Sequence, residues 1–427
     1  NVIHRFYDRL AGSAQELIDG LSSESLDTLA TECEEPKYLL ELVDEAPIIK
    51  LLNSLLFQAV KERASDIHIE PYEKVVEVRF RVDGVLYPVL SPPKAIQEAT
   101  ISRVKVMAGL DIAEKRLPQD GRIRLLIAGK DIDVRVSVIP TSFGERVVLR
   151  LLDRKGGIIE FEGLGFNIGQ VEMMDSLISR NSGIILVTGP TGSGKTTTLY
   201  SALNRINSAK RNIITVEDPV EYQLKGIGQI NVNPKIGLTF ANGLRSILRQ
   251  DPDVIMVGEI RDMETAEIAI HASLTGHLVI STLHTNDAPT AITRLVDMGI
   301  ERFLVASSLS AVIAQRLVRV LCQYCKEEYA PKPDEMSAFK QYNVRRLWKP
   351  IGCERCFKSG YHGRTGIFEF LIIDQDMHSV ILKNPDSSSL KGYALSKGMK
   401  TLKDDGLEKA AAGVTSLEEI IRVTQIN

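Results

Sequence analysis

The chain has 427 residues, 44% apolar and 25% charged, which is the composition of a folded globular protein of two to three domains at roughly 150 residues each and excludes a disordered or collagen-like one. Its 52 basic and 55 acidic side chains leave a formal net charge of -3, so no global positive field draws it to nucleic acid or anionic lipid, and any such contact has to be local. Apolar runs such as Ile184 to Val187 are far short of the roughly 18 residues that span a bilayer, and no basic apolar signal segment opens the chain, so the expected location is cytoplasmic.

Asn1 is not an initiator Met, so a further N-terminal domain is expected ahead of this chain. Residues 1–46 carry eleven acidic side chains against Arg5, Arg9 and Lys37 and read as an acidic helical linker or accessory region. From Pro47, the residues Ile48, Leu51, Leu52, Leu55, Leu56, Ala59 and Val60 fall on one face at helical spacing, with Pro in the first turn, predicting a core-packing helix. Val76, Val78, Phe80 and Val82 then alternate with Glu77, Arg79, Arg81 and Asp83, and Asp83-Gly84 leads into Val85-Leu86-Tyr87, a β-hairpin pattern. A second alternating pair, 132–138 and 146–152, is joined by Pro140 to Gly144, and Leu117 to Arg122 reads as a turn. Residues 47–155 are thus predicted to be an α+β domain with an antiparallel sheet.

Past Lys155-Gly156-Gly157 the pattern changes to short continuous apolar runs, Ile184 to Thr188, Ile213 to Val216, Val254 to Val257 and Leu278 to Ser281, separated by stretches of crossover-helix length. Strands buried on both faces read this way, so residues 156–320 are predicted to be α/β with a largely parallel sheet. Residues 366–427 read as helical, with a capping box from Ser416 to Glu419.

Gly189-Pro190-Thr191-Gly192-Ser193-Gly194-Lys195-Thr196-Thr197 directly follows one predicted strand and opens a predicted helix, the context a P-loop requires. Glycines let backbone N–H groups curl around a phosphate at a helix N-terminus, Lys195 reaches the β and γ oxygens, and the Thr196 hydroxyl ligates Mg²⁺. Carboxylates for metal and water stand at two neighbouring strand ends, Glu217-Asp218-Pro219-Val220-Glu221 and Gly258-Glu259-Ile260-Arg261-Asp262; helix capping is the alternative for either. His277 and His284 flank the strand from Leu278, and His284 is placed to sense a γ-phosphate near the crevice where ligands lie in such sheets. Cys322-x-x-Cys325 and Cys353-x-x-Cys356, 27 residues apart, match the paired knuckles of a tetrahedral Zn²⁺ site at 321–365, with a redox pair as the alternative. Cys33 stands alone.

Together the P-loop, Thr215 to Glu221, Gly258 to Asp262 and Ser281 to Asn286 resemble the Walker A, Asp-box, Walker B and His-box motifs of the bacterial secretion ATPases of type II secretion and type IV pilus assembly. The resemblance runs from about Ala46 to the C-terminus and includes Ser65 to Pro71 and Gly144-Glu145-Arg146. It implies a RecA-like ATPase domain preceded by a PAS-like domain, and a homo-hexamer peripheral on the cytoplasmic face of the inner membrane. Docking on inner-membrane proteins is implied mainly through the expected N-terminal domain. Glu145 to Asp153 and Thr415 to Thr424 look more like the type II secretion branch, with pilus extension the alternative. ATP, Mg²⁺ and Zn²⁺ are the implied cofactors, Glu217 polarises the attacking water, and Glu259 acts through Mg²⁺ or water. If the second hairpin turns between Ser142 and Phe143, Arg135 pairs with Arg150, and like charges directly opposite call for an anion. Asp133 is one candidate. The γ-phosphate, to which the resemblance assigns these two positions together with Arg245 and Arg249, is the other. A nucleic-acid translocase and a non-hydrolysing nucleotide switch remain rival classes, and the charge balance speaks against the first.

Overall fold

The computed structural model describes residues 47–127, 130–153, 158–339 and 344–424; the acidic region 1–46, with Cys33, lies outside the described residues. Two compact units divide at Gly156 and Gly157, and each is described by itself.

In the first unit the helix Pro47–Lys61 buries Ile48, Leu51, Leu52, Leu55, Leu56 and Ala59, the stripe its spacing predicts. Strands β1 (Asp66–Pro71), β2 (Val76–Val82), β3 (Val85–Leu90), β4 (Gln119–Ile127), β5 (Lys130–Thr141) and β6 (Gly144–Asp153) form one antiparallel sheet in the order β3-β2-β1-β6-β5-β4, and a second helix, Gln97–Ala108, precedes β4. Alternation sends Ile67, Ile69, Val78, Phe80, Val134, Val136, Val147 and Leu149 into one apolar cluster with both helices. The polar residues between them line the opposite face. Both expected hairpins are present, and Thr141 pairs with Gly144, so the turn is Ser142-Phe143 and Arg135 lies opposite Arg150. The turn expected at Leu117 to Arg122 is shorter, because β4 already begins at Gln119. Gly121 permits this start, since a Cβ there would stand 2.8 Å from the Ala108 carbonyl oxygen.

The second unit contains β7 (Gly183–Thr188), β8 (Ile213–Glu217), β9 (Gly228–Asn231), β10 (Val254–Val257), β11 (Leu278–Leu283), β12 (Leu309–Leu321), β13 (Glu327–Tyr329), β14 (Leu347–Lys349) and β15 (Tyr361–Ile372). Seven of them form a sheet ordered β15-β12-β7-β11-β10-β8-β9, parallel except for β15 against β12. Successive residues of the central strands enter different layers. Ile184, Leu186, Ile255, Val257 and Val279 pack with helices Phe240–Ile247, Met263–Leu274 and Ala288–Asp297, whereas Ile185, Val187, Met256 and Ile280 pack with Ile168–Ile178 and Lys195–Ile206. Burial on both sides explains why these strands show no alternation. The sheet takes its outermost strand from 361–372, well past residue 320, so the cysteine segment is an excursion between β12 and β15 that carries the small β13-β14 ladder. Helices 375–383, 387–396, 402–411 and 417–424 follow; Ser416 Oγ accepts from Glu419 N, one half of the expected capping box, while the Glu419 carboxylate takes Arg319 and Arg422.

Candidate active site

The loop 189–194 joins β7 directly to the helix Lys195–Ile206, at the C-terminal end of the parallel strands. Gly194 stands at the helix N-cap with φ of 88°, a left-handed conformation that glycine adopts without strain. Lys195, 8% exposed, donates from Nζ to the carbonyl oxygens of Gly189 (2.8 Å) and Pro190 (3.1 Å). Burial pushes its pKa down to about 8; Glu259 opposes this and Arg316 adds to it. The Ser193 hydroxyl is buried in the loop without a hydrogen-bond partner, a polar atom left for a ligand. Thr196 is exposed in the first helical turn, and Thr197 accepts from Ser201 Oγ at its carbonyl. The loop therefore fits a phosphate chain, with Thr196 open to a metal ion.

Glu259, just beyond β10, pairs with Arg261 Nη2 at 2.6 Å and with His284 Nε2 at 3.5 Å. His284 follows β11 with half its side chain exposed, and its pKa is lowered by burial and then by Lys195. Glu217 ends β8 and is 3% exposed; its carboxylate accepts from the Tyr200 hydroxyl, from Thr215 Oγ1 at 2.5 Å and from Gln229 Nε2 at 3.1 Å. Thr188 and Thr285 hydroxyls, 2.8 Å apart, tie the end of β7 to the segment holding His284. Lys195, Glu259 and His284 thus gather at one end of the sheet, with Glu217 beside them in a protein-satisfied pocket.

His277 is not brought to this site. It precedes β11, whose first residue aligns with Gly183 at the start of β7, so it sits at the opposite end of the sheet, with Nδ1 2.9 Å from the Ala272 carbonyl. Arg245 bonds Glu264 at 2.6 Å, and Arg249 donates to the Arg245 carbonyl at 3.0 Å; both are exposed, and among the described residues neither bonds the loop. Sequence reasoning missed Gln315 and Arg316 on β12. Their signal is a polar pair interrupting the apolar run of Leu309 to Val320.

In the first unit, Arg122, Arg135 and Arg150 occupy one cross-strand row that continues through Asp66 to Arg81. Asp66, 5% exposed, takes Arg150 Nε at 3.0 Å and Arg81 Nε at 3.7 Å, so the acid facing Arg150 is Asp66 of β1 and not Asp133. Four residues along β1, Glu70 lies between Arg79 and Arg146, and Glu145 forms a buried pair with Lys105 at 2.6 Å. The Ser65 to Pro71 segment therefore supplies the counter-ions Asp66 and Glu70 of this arginine-rich face, whereas Glu145 turns with Val147 and Leu149 to the helix-covered side.

The four sulfurs of Cys322, Cys325, Cys353 and Cys356 lie within 4.8 Å of one another, with contacts of 3.9 Å (Cys322–Cys353), 3.7 Å (Cys325–Cys356) and 3.7 Å (Cys353–Cys356). A tetrahedron of sulfurs about 2.3 Å from zinc has edges of about 3.8 Å, so the set fits that ion. The N–H groups of Cys353 and Gly360 stand 3.1 and 3.3 Å from the Cys356 sulfur, donors of the kind that stabilise a thiolate ligand.

Residues 41–422 match the family described as Type II/IV secretion system protein. The type II secretion system ATPase E of Vibrio cholerae is 53% identical over 98% of this chain and 84% of its own length. The type II secretion system protein E of Dickeya dadantii is 53% identical over the same shares. Among solved structures, the pilus retraction motor PilT with bound ADP is similar with a TM-score of 0.60 at 28% identity, covering 88% of this chain and 97% of that one.

Proposed function

Because the chain belongs to the type II/IV secretion system protein family and is an ATPase of type II secretion, we propose that it hydrolyses ATP in a Mg²⁺-dependent reaction at the 189–197 loop and that this turnover drives pseudopilus assembly. The observation that carries the reading is the gathering of Lys195, Glu259 and His284 at the C-terminal end of β7, β10 and β11. Lys195 leaves its loop carbonyls for the β and γ oxygens, and loop N–H groups hold the phosphate chain. Thr196 and Glu259 would hold Mg²⁺, which would supply positive charge against the phosphate oxygens. Glu259, the more accessible carboxylate, orients or polarises water, and His284 reports the γ-phosphate to it. Glu217 is committed to three protein donors, which favours a positioning role over the water-polarising one expected from its motif. Arg135 and Arg150 supply further positive charge to the γ-phosphate, with Arg245 and Arg249 as the further arginines the family resemblance implies. The cysteines hold Zn²⁺, which would close the segment between β12 and β15.

The working form is a hexamer peripheral on the cytoplasmic face of the inner membrane; no helix among the described residues is long and apolar enough to cross one. Steady-state phosphate release from ATP with Mg²⁺, against the same assay in excess chelator, tests the chemistry. Co-purification with inner-membrane secretion components tests the machine. Equal rates in both assays refute the metal dependence, and recovery with pilus-assembly components instead favours pilus extension.

A further inference from the structure

The P-loop has a second buried cation behind it. In the pairing of β12 with β7, Ala314 meets Thr188, so residues 315–317 run beside the loop. Gln315, 1% exposed, takes Thr198 Oγ1 at 2.8 Å, and a Cβ at Gly194 would stand 2.9 Å from its Nε2. A Cβ at Gly189 would meet the Gln315 carbonyl oxygen at 2.5 Å and Arg316 Nη1 at 3.2 Å, so the loop backbone lies close against the β12 backbone and the Arg316 guanidinium. Arg316 is 6% exposed and donates to carbonyl oxygens, Asn286 O at 2.7 Å and Gln315 O at 3.1 Å, with Asn286 Oδ1 at 3.4 Å. Neither it nor Lys195 forms an ion pair among the described residues. Glu369 and Asp287 act on Arg316 only at longer range; Glu369 accepts from Ala288 N, and Asp287 caps its own helix through Thr290 N.

Two buried cations side by side, each resting on neutral carbonyls, make an arrangement that is costly without an anion. A single lysine suffices to explain a P-loop, so the second charge needs its own account. We propose that Arg316 is a nucleotide-contacting arginine supplied by the same chain, turning from the Asn286 carbonyl to a phosphate oxygen when nucleotide fills the loop. A guanidinium suits this because its fork can keep one carbonyl bond while offering a second N–H to phosphate. Asn286 lies two residues beyond His284, so the exchange also releases the backbone that carries the γ-phosphate sensor.

The inference rests on the nucleotide reading of the loop, and the two are separable. ADP binding and the nucleotide-free melting temperature are measured for the native chain, Arg316→Gln and Arg316→Lys. Failure of the native chain to bind ADP sinks the nucleotide reading. With native binding intact, R316Q is expected to melt no lower than native without nucleotide and to bind ADP about ten- to a hundredfold more weakly, with R316K in between. ADP affinity within about twofold of native in R316Q, or a lowered melt with affinity kept, makes Arg316 a structural strut and overturns the proposal. A structure of the native chain with ADP decides independently of how the variants fold. A guanidinium N–H about 3 Å from a phosphate oxygen is expected, and a guanidinium still on the Asn286 and Gln315 carbonyls, with no phosphate contact, overturns it.

Discussion

The Tyr200 hydroxyl, on the helix that the P-loop opens, donates to the Glu217 carboxylate at the end of β8. Tyr200 is fully buried, and burial, with Glu217 beside it, pushes its phenol well above the usual value, so the proton stays on the oxygen. Gln229 and Thr215 complete the shell. Tyr200→Phe removes one donor from a buried carboxylate and leaves two. It is expected to destabilise the chain by about 1–3 kcal/mol in denaturant unfolding and to lower turnover about tenfold while ADP affinity holds. Unchanged turnover would make the Tyr200–Glu217 bond structural only.

Lys195 gives a pH dependence with a definite sign. Its folded pKa of about 8 lies below that of a free lysine, so between pH 8 and roughly 10 the unfolded chain binds more protons, and this group makes the nucleotide-free fold more stable as pH rises. Below pH 8 the buried charge opposes folding, by on the order of 2–3 kcal/mol. Lys195→Met is therefore expected to be more stable than native at pH 7 without nucleotide, with the gap closing by pH 10. Equal pH profiles in denaturant melts would contradict this.

Arg135→Ala and Arg150→Ala are expected to cut turnover steeply, up to about 10³-fold, if they contact transferring phosphate. Arg150→Ala also leaves the buried Asp66 with Arg81 and the Ser65 hydroxyl, so its stability should fall as well. Rates within about twofold of native in both, with assembly unchanged, would leave them as residues of the polar sheet face.

Metal analysis is expected to find about one zinc per chain, and Cys325→Ser should release it and loosen the segment between β12 and β15 while ADP binding survives. The locality follows because the ladder that carries β12, at Ala314 opposite Thr188, does not pass through the cysteines. Zinc-free protein with an ordered cysteine segment would refute the site.

Local signals made much of this readable in the sequence. The P-loop needs only its own spacing and flanks, the central strands announce themselves as continuous apolar runs, and the Arg135–Arg150 register follows from the centre of one short turn. Non-local pairing hid the rest. Asp66 reaches Arg150 because β1 inserts beside β6, 84 residues away, which no window of sequence shows. Gln315 and Arg316 break the apolar pattern of β12 at the positions that face the loop, so no continuous apolar run marks the strand there. His277 and His284 differ only in which end of β11 they flank, and the parallel direction of β7 and β11 separates them by the length of a strand.

Steady-state phosphate release by Glu259→Gln beside the native chain, with ATP affinity measured on both, tests the central claim most directly. Glu259 is the accessible carboxylate that meets Arg261 and His284 beside the loop, and the amide keeps its size while removing its charge. The account predicts native-like ATP binding and phosphate release at least about a hundredfold slower. Turnover within about twofold of native would contradict it.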